Sequence, residues 1–258
     1  MTVNITTRVL DALHDIAVRA GREIMDVYVT DFDVAHKGDA SPVTEADRRA
    51  EALILDAIRA EITDTFPIIG EESFSDGKAP TLDGGPFWLV DPLDGTKEFV
   101  SRNGEFTVNI ALVDGGVPVV GVVYAPVLNN LFMGSPFGAT ADFGSGPQMI
   151  KCRKWPAEGL TALVSRSHKT PETDDFLKDY TIKDETSAGS SLKFCLVARG
   201  LADIYPRLGR TMEWDTAAGH AVLRAAGGDV TKLDGAPLSY GKPGFENPHF
   251  VAFGKRPA

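Results

Sequence analysis

Four acidic clusters carry the chemistry this sequence can offer: Asp47, Glu71-Glu72, Asp91 with Asp94, and Asp215. Each falls at the end of an expected helix or strand rather than on a solvated helix face. In Trp88-Leu-Val-Asp-Pro-Leu-Asp-Gly-Thr96 an apolar strand runs into Asp91, Pro92 forces a turn, and Asp94-Gly95-Thr96 opens the next segment. Carboxylates three residues apart across such a turn can converge on one point, and the Leu93 carbonyl between them can turn the same way. Asp-Pro and Asp-Gly are also common turn dipeptides. The apolar strand ahead of Asp91 favours a buried acidic site, and buried carboxylates need cations.

Glu71 follows Ile68-Ile69-Gly70, a second short strand ending in acid, whereas Glu72 reads equally well as a surface residue. Asp215 follows Trp214 at the start of an expected helix over 216–226, where it could serve as the N-cap. Thr44-x-x-Asp47 fits a capping box, a role compatible with catalysis because a cap fixes the carboxylate. If Glu71, Asp91, Asp94 and Asp215 converge, mutual repulsion forbids an empty, fully ionised site. Oxygen ligands without nearby His or Cys point to Mg²⁺, with Mn²⁺ as a substitute. One ion could then activate a water while another stabilises the leaving oxygen, as in two-metal phosphoester hydrolysis. Gly95 and Thr96 would offer backbone N–H groups to a phosphate at a helix start. No Ser-His-Asp order, P-loop or Rossmann glycine pattern competes with this.

The elements that must position these groups are legible from periodicity. Leu10, Leu13, Ile16/Ala17, Ala20, Ile24 and Tyr28 repeat at helical spacing, and so do Ala46, Ala50, Leu53/Ile54, Ala57/Ile58 and Ile62 in a helix starting at Thr44. A loop is expected between them over 37–42. Short β-branched runs at 87–90, 107–113, 117–124 and 131–133 read as a meandering antiparallel sheet. The Gly-rich stretch 135–147 reads as a loop and a seam between halves 1–145 and 146–258. Beyond it, strands at 162–165, 203–205 and 250–253 alternate with helices at 173–179, 190–198 and 216–226, a mixed α/β half.

The chain has 258 residues, 43% of them apolar, enough for a large core and for two packed halves. A formal charge of −10 argues against a general nucleic-acid-binding surface, although local basic clusters can still hold an anion. Cys152 and Cys195 form neither a metal pattern nor a disulfide framework and read as small core residues. The N-terminus lacks a signal-peptide pattern, and no apolar run approaches the ~20 residues of a membrane span. A reducing cytoplasm is the expected compartment.

Gly70-Glu-Glu-Ser73, Trp88-Leu-Val-Asp-Pro-Leu-Asp-Gly-Thr96 and Trp214-Asp-Thr-Ala-Ala-Gly219 resemble, in order, the three signatures of the inositol monophosphatase superfamily. The resemblance spans nearly the whole chain and implies an α+β / α/β fold, a layered α-β-α-β-α sandwich with the site between its halves. Within the superfamily the chain is similar to the bacterial 3′(2′),5′-bisphosphate nucleotidases. The run from Asp94 to Leu112 carries Lys97-Glu98 where inositol monophosphatases usually have Asn. Ser165-Arg-Ser-His168, Gly189-Ser-Ser-Leu-Lys-Phe194 and Tyr205-Pro-Arg207 point the same way. Gly70 departs from the Ser common in that subgroup and leaves the metal site untouched.

The resemblance implies Glu71, Asp91, the Leu93 carbonyl, Asp94 and Asp215 as ligands for two or three Mg²⁺ ions, with Li⁺ inhibitory. It makes Asp47 and Thr96 the pair orienting the attacking water, with Glu71 beside them. The implied substrate is 3′-phosphoadenosine 5′-phosphate, a by-product of sulfate assimilation, and its sulfated counterpart is a further candidate. Leu93, Asp94, Gly95, Thr96 and Asp215 would face the reacting phosphate. Arg166, His168, Lys193 and Arg207 are candidates for the second phosphate; Ser190 and Ser191 would bond neutrally or cap the following helix. The expected protein is a monomer or homodimer with no integral membrane segment and no nucleic-acid partner, cytoplasmic or peripheral to the inner membrane. Competing readings are an inositol-1-phosphate or histidinol-phosphate phosphatase on the same scaffold, and a non-catalytic metal-binding module.

Overall fold

The computed structural model describes residues 4–30, 42–166 and 170–256. The expected loop over 37–41 and the candidate His168 lie outside the described residues. Helix α1 (Thr7–Tyr28) is capped by the Thr6 hydroxyl, which accepts from the Val9 N–H at 3.4 Å. Its apolar stripe buries Leu13, Ile16, Ala17, Ala20 and Ile24, as the spacing predicts. Helix α2 (Pro42–Ala57) continues into a π-helical turn, Ile58–Ile62. It reaches back past Thr44 to Pro42, which puts Thr44 inside the helix, so the capping-box reading of Thr44 and Asp47 fails.

Seven strands form one sheet, ordered as in the chain: β1 (Ile68–Gly70), β2 (Phe87–Asp94), β3 (Thr107–Asp114), β4 (Val117–Ala125), β5 (Asn130–Ser135), β6 (Gly138–Asp142) and β7 (Gln148–Ile150). All neighbours are antiparallel except β1, which runs parallel to β2. The stretch 135–147 is therefore not all loop. It contains β6, which alternates buried Ala139 and Ala141 with half-buried neighbours. Two one-turn helices interrupt the meander: α3 (Glu71–Ser75) and α4 (Thr96–Val100).

The second sheet has the order β11-β12-β10-β8-β9, with β8 (Leu160–Ser165), β9 (Ile182–Ala188), β10 (Ile204–Arg207), β11 (Asp229–Lys232) and β12 (Phe250–Phe253). The helices among these strands in the chain are α5 (Pro171–Leu177), α6 (Leu192–Ala198) and α7 (Ala217–Ala225). Sequence spacing does not predict strands β9 and β11. The middle of β9, Lys183-Asp-Glu-Thr186, is charged and exposed, so it shows no buried alternation for periodicity to detect.

Period-two alternation assigns each face of the large sheet its own core. Trp88, Val90, Ile110, Leu112 and Val122 pack under α1 and α2. Leu89, Ala111, Val113, Val123 and Phe132 face α6 and α7, whose other side meets Tyr205, Phe250 and Ala252 of the small sheet. A third cluster seals α5 onto Leu160, Ala162, Ile204 and Val251. The layers are thus α-β-α-β-α, the sandwich that the resemblance implied. Close approach of α7 depends on Gly121 in β4, where a Cβ would stand 2.5 Å from the Ala218 carbonyl oxygen.

Candidate active site

The site is built where β2 ends. Asp91 is buried, and its Oδ1 accepts from the Leu93 N–H at 3.0 Å, closing a two-residue turn over Pro92. The β2–β3 register slips between Asp91 and Asp94, re-aiming the strand end as bulges do. Gly95 then takes a left-handed φ of 99° and turns the chain into α4, which begins at Thr96. The parallel pairing of β1 with β2 brings Glu71, at the start of α3, to a hydrogen bond with Asp91.

Sequence reading missed Glu51, which holds this corner. From α2 its buried carboxylate accepts from the Glu72 and Ser73 N–H groups, each at 2.8 Å, and from the Ser73 hydroxyl. It thereby caps α3 across the layer and satisfies the donors a helix start leaves open. Asp47 lies one turn earlier on α2 and is also buried. Glu72 pairs loosely with Arg48 at 3.6 Å, in keeping with a surface role.

Asp215 arrives from the loop before α7. The N-cap of α7 is Thr216, so the capping reading of Asp215 fails; its Oδ2 instead accepts from the Met212 N–H at 2.9 Å. The Ser191 hydroxyl donates to the Asp215 carbonyl at 2.7 Å and makes no cap bond to α6. Asn109 on β3 donates to Ser191 Oγ at 3.0 Å and to Asp94 Oδ2 at 3.4 Å, tying the end of β2 to the start of α6. Behind the loop, Asn247 donates to the Met212 carbonyl at 2.7 Å and to Thr216 Oγ1 at 3.0 Å. Neither asparagine carried a sequence signal, because each acts across a long separation in the chain.

Burial, and then mutual charge, sets the protonation of this cluster. Burial pushes Glu71 up to about 7, with its bond to Asp91 opposing and Asp94, Glu72 and Glu51 adding. Asp215 is pushed up to about 8 by burial and by Asp94. Asp91 is raised well above the carboxylate range by burial and by Glu71, Asp94, Asp215 and Asp47. Asp47 is raised by burial and by Glu71, Glu72 and Glu51. Burial also raises Asp94, while Lys193, Ser191 and Asn109 counter it. Such acids favour either protons or cations as partners.

The donor set is oxygen throughout, which fits a hard cation. Among the described residues no three His, Cys, Asp or Glu side chains form a ready-made cation cage. Magnesium retains several waters and binds through one or two carboxylates rather than an all-protein cage.

A cleft of about 530 Å³ opens beside the cluster. Asp94, Gly95, Thr96 and Asp215 line it together with Lys193, Arg207 and Arg210. Glu71, Asp91 and Asp47 do not line the cleft; Glu71 and Asp91 communicate with it through the charge of Asp94. Lys193 is buried and donates to the Ala188 carbonyl at 3.1 Å and the Ser190 carbonyl at 2.7 Å. Burial pushes its ammonium down to about 8, with Asp94 opposing. Arg207 donates to the Arg210 carbonyl at 3.3 Å. Ser190 lines the cleft, whereas Arg166 forms an ion pair with Glu105 at 3.0 Å. Arg210, missed in the sequence, reaches the wall through an irregular loop that periodicity does not register.

A model of the inositol monophosphatase family matches residues 6–252. The 3′(2′),5′-bisphosphate nucleotidase CysQ of Escherichia coli strain K12 is 46% identical over 244 residues, covering 93% of this chain and 98% of that protein. Its counterpart in Salmonella typhimurium is 44% identical over 248 residues, covering 93% and 98%. The crystal structure of CysQ from Bacteroides thetaiotaomicron, described as a bacterial member of the inositol monophosphatase family, superposes with a TM-score of 0.85. That chain is 38% identical, with 98% of this chain and 100% of its own covered.

Proposed function

The chain belongs to the inositol monophosphatase family, and we propose that within it the protein is a 3′(2′),5′-bisphosphate nucleotidase. It hydrolyses the 3′ phosphate of 3′-phosphoadenosine 5′-phosphate, giving AMP and phosphate. The observation that carries this reading is one cleft lined both by carboxylates, Asp94 at the end of β2 and Asp215 ahead of α7, and by a cationic wall, Lys193 and Arg207. The carboxylates suit cation-assisted phosphoester hydrolysis, and the cations beside them suit a second phosphate. The similarity to the nucleotidases named above supports the same substrate.

The residues proposed to hold Mg²⁺, two or three ions in all, are Glu71, Asp91, Asp94, Asp215 and the Leu93 carbonyl; Mn²⁺ would substitute and Li⁺ would inhibit. When bound, such cations neutralise phosphate charge and make a water more acidic. Thr96 and Asp47 are proposed to orient that water, with the Asp47 carboxylate taking up its proton and Glu71 serving beside them as well as in the ligand set. Gly95 and Thr96 would present the opening N–H groups of α4 to the reacting phosphate. Lys193 and Arg207 would hold the 5′ phosphate, and Ser190 would bond to it neutrally. Ser191 would act from behind, through its bond to the Asp215 carbonyl. The division into halves 1–145 and 146–258 belongs to the same reading, with Asp215 and the specificity residues supplied by the second half. Among the described residues no helix is long and apolar enough to cross a membrane.

The test is turnover of 3′-phosphoadenosine 5′-phosphate against adenosine 3′-monophosphate. A charged hydrogen bond contributes about 1.5–3 kcal/mol, so losing the 5′ phosphate should lower kcat/KM by about ten- to a hundredfold. Equal kcat/KM values would defeat the assignment of the cationic wall.

A further inference from the structure

Glu105 joins three segments whose connection the proposed activity does not use. It sits in the loop between α4 and β3. Its two oxygens take the Arg166 guanidinium in a fork, Nη2 to Oε1 at 3.0 Å and Nη1 to Oε2 at 3.0 Å. The same Oε2 accepts from the Gly189 N–H at 2.7 Å. The Glu105 N–H donates to Asn103 Oδ1 at 2.9 Å, which fixes the loop itself. A fork of this kind orients the carboxylate as well as pairing its charge. Arg166 follows the end of β8 and Gly189 follows the end of β9, so one carboxylate ties the large-sheet loop to two strand ends of the small sheet.

The contact is one of backbone against backbone. A Cβ on Gly189 would stand 2.6 Å from the Glu105 carbonyl oxygen and 2.7 Å from Glu98 Cγ. Glycine is therefore required at this point, and any shift of Glu105 is passed directly to the adjoining turn. That turn carries Ser190 with φ 44°, a left-handed conformation that non-glycine residues rarely adopt. Its Oγ is buried with no hydrogen-bond partner among the described residues, and the residue lines the cleft. Its carbonyl accepts from Lys193 Nζ, which uses two of the three ammonium hydrogens with the Ala188 bond and leaves the third for the cleft.

We infer that Glu105 is a positioning residue for the second phosphate: with Arg166 as its orienting partner, it holds the Gly189-Ser190 turn and, through the Ser190 carbonyl, the Lys193 ammonium at the wall of the cleft. This inference rests on the nucleotidase reading for the identity of the phosphate. It assigns Arg166 to the clamp rather than to the substrate. Glutamate is suited to the place because it accepts from Arg166 and from Gly189 at once. Glutamine would keep an acceptor for the Gly189 N–H and lose the ionic fork.

The test is steady-state kinetics of Glu105→Ala, Glu105→Gln and Arg166→Gln on 3′-phosphoadenosine 5′-phosphate and adenosine 3′-monophosphate, with thermal melting of each variant. Glu105→Ala should raise KM for the bisphosphate about tenfold with kcat within about twofold, and Glu105→Gln should raise it about threefold. The monophosphate KM should move less in both. If Glu105→Ala does not fold, Glu105→Gln and Arg166→Gln carry the comparison, each with a selective rise in bisphosphate KM. Equal losses on both substrates, or a fall in kcat at constant KM, would overturn the clamp. A wild-type enzyme that treats the two nucleotides alike defeats the cationic-wall assignment, and with it the bisphosphate specificity of the nucleotidase reading, instead. The clamp is then tested on the phosphomonoester the wild type turns over best, where an unchanged KM in Glu105→Gln and Arg166→Gln overturns it.

Discussion

Gly121→Ala should damage stability and activity together, because α7 lies directly on β4 at that residue. The added Cβ would stand 2.5 Å from the Ala218 carbonyl oxygen, 2.8 Å from Ala218 Cα and 2.8 Å from Ala221 Cβ. Comfortable carbon contacts lie at about 3.5–4.0 Å, so strand and helix must separate by about 1 Å. Two of the opposing atoms are helix backbone and cannot rotate aside. Overpacking costs about 1–3 kcal/mol, and a backbone clash belongs at the upper end. For a chain of this size each kcal/mol lowers Tm by about 2–4 °C, so a drop of about 6–12 °C is expected. Helix α7 starts at Ala217, just after Asp215, so the displacement reaches the carboxylate. A misplacement of about 1 Å at a reacting centre can cost about a hundredfold in rate. Thermal melting and phosphate release measure the two effects. A Tm within about 1 °C of wild type with full activity would refute the packing argument.

Asp94→Asn should abolish turnover while leaving the fold intact, because it removes charge from the strand end that the cluster shares. Near-normal kcat at saturating Mg²⁺ would remove Asp94 from the ligand set. Arg207→Ala should lower kcat/KM for 3′-phosphoadenosine 5′-phosphate about tenfold or more while sparing adenosine 3′-monophosphate. Equal losses would take Arg207 out of specificity. His220 is buried between Tyr240 and Asp229, and burial lowers its pKa despite the Asp229 bond. The unfolded chain then takes a proton near pH 6.5 that the folded chain refuses, so stability is full above about 6.5 and falls as pH drops below it. Between about pH 7.5 and 5.5 the Tm of wild type should fall more steeply than that of His220→Gln. Parallel slopes would contradict a neutral buried imidazole.

The sequence made the apolar framework legible wherever bulky side chains mark a face. Helix α1 and strands β2 to β4 follow from residues such as Ile16, Val90 and Ile110, whose spacing is the spacing of the core. It failed where the pattern is thin. Strand β6 alternates only small Ala139 and Ala141, and β9 exposes its charged middle at a sheet edge. The cap readings failed on short-range details: α2 starts ahead of Thr44, the Asp215 carboxylate turns back to Met212, and the Ser191 hydroxyl goes to the Asp215 carbonyl. The acidic clusters stood out because carboxylates at the ends of apolar strands are costly without cations. Their supports did not. Glu51, Glu105, Asn109 and Asn247 are ordinary polar residues in the chain, and only long-range hydrogen bonds give them a role.

The most direct measurement is phosphate release from 3′-phosphoadenosine 5′-phosphate against inositol 1-phosphate, with Mg²⁺ and with added Li⁺. The predicted result is a preference of about a hundredfold or more for the nucleotide, equivalent to about 2.7 kcal/mol in the transition state, with lithium inhibition. Equal or reversed rates would contradict the nucleotidase assignment while leaving the family intact. Release from neither substrate would contradict catalysis and favour a metal-binding module.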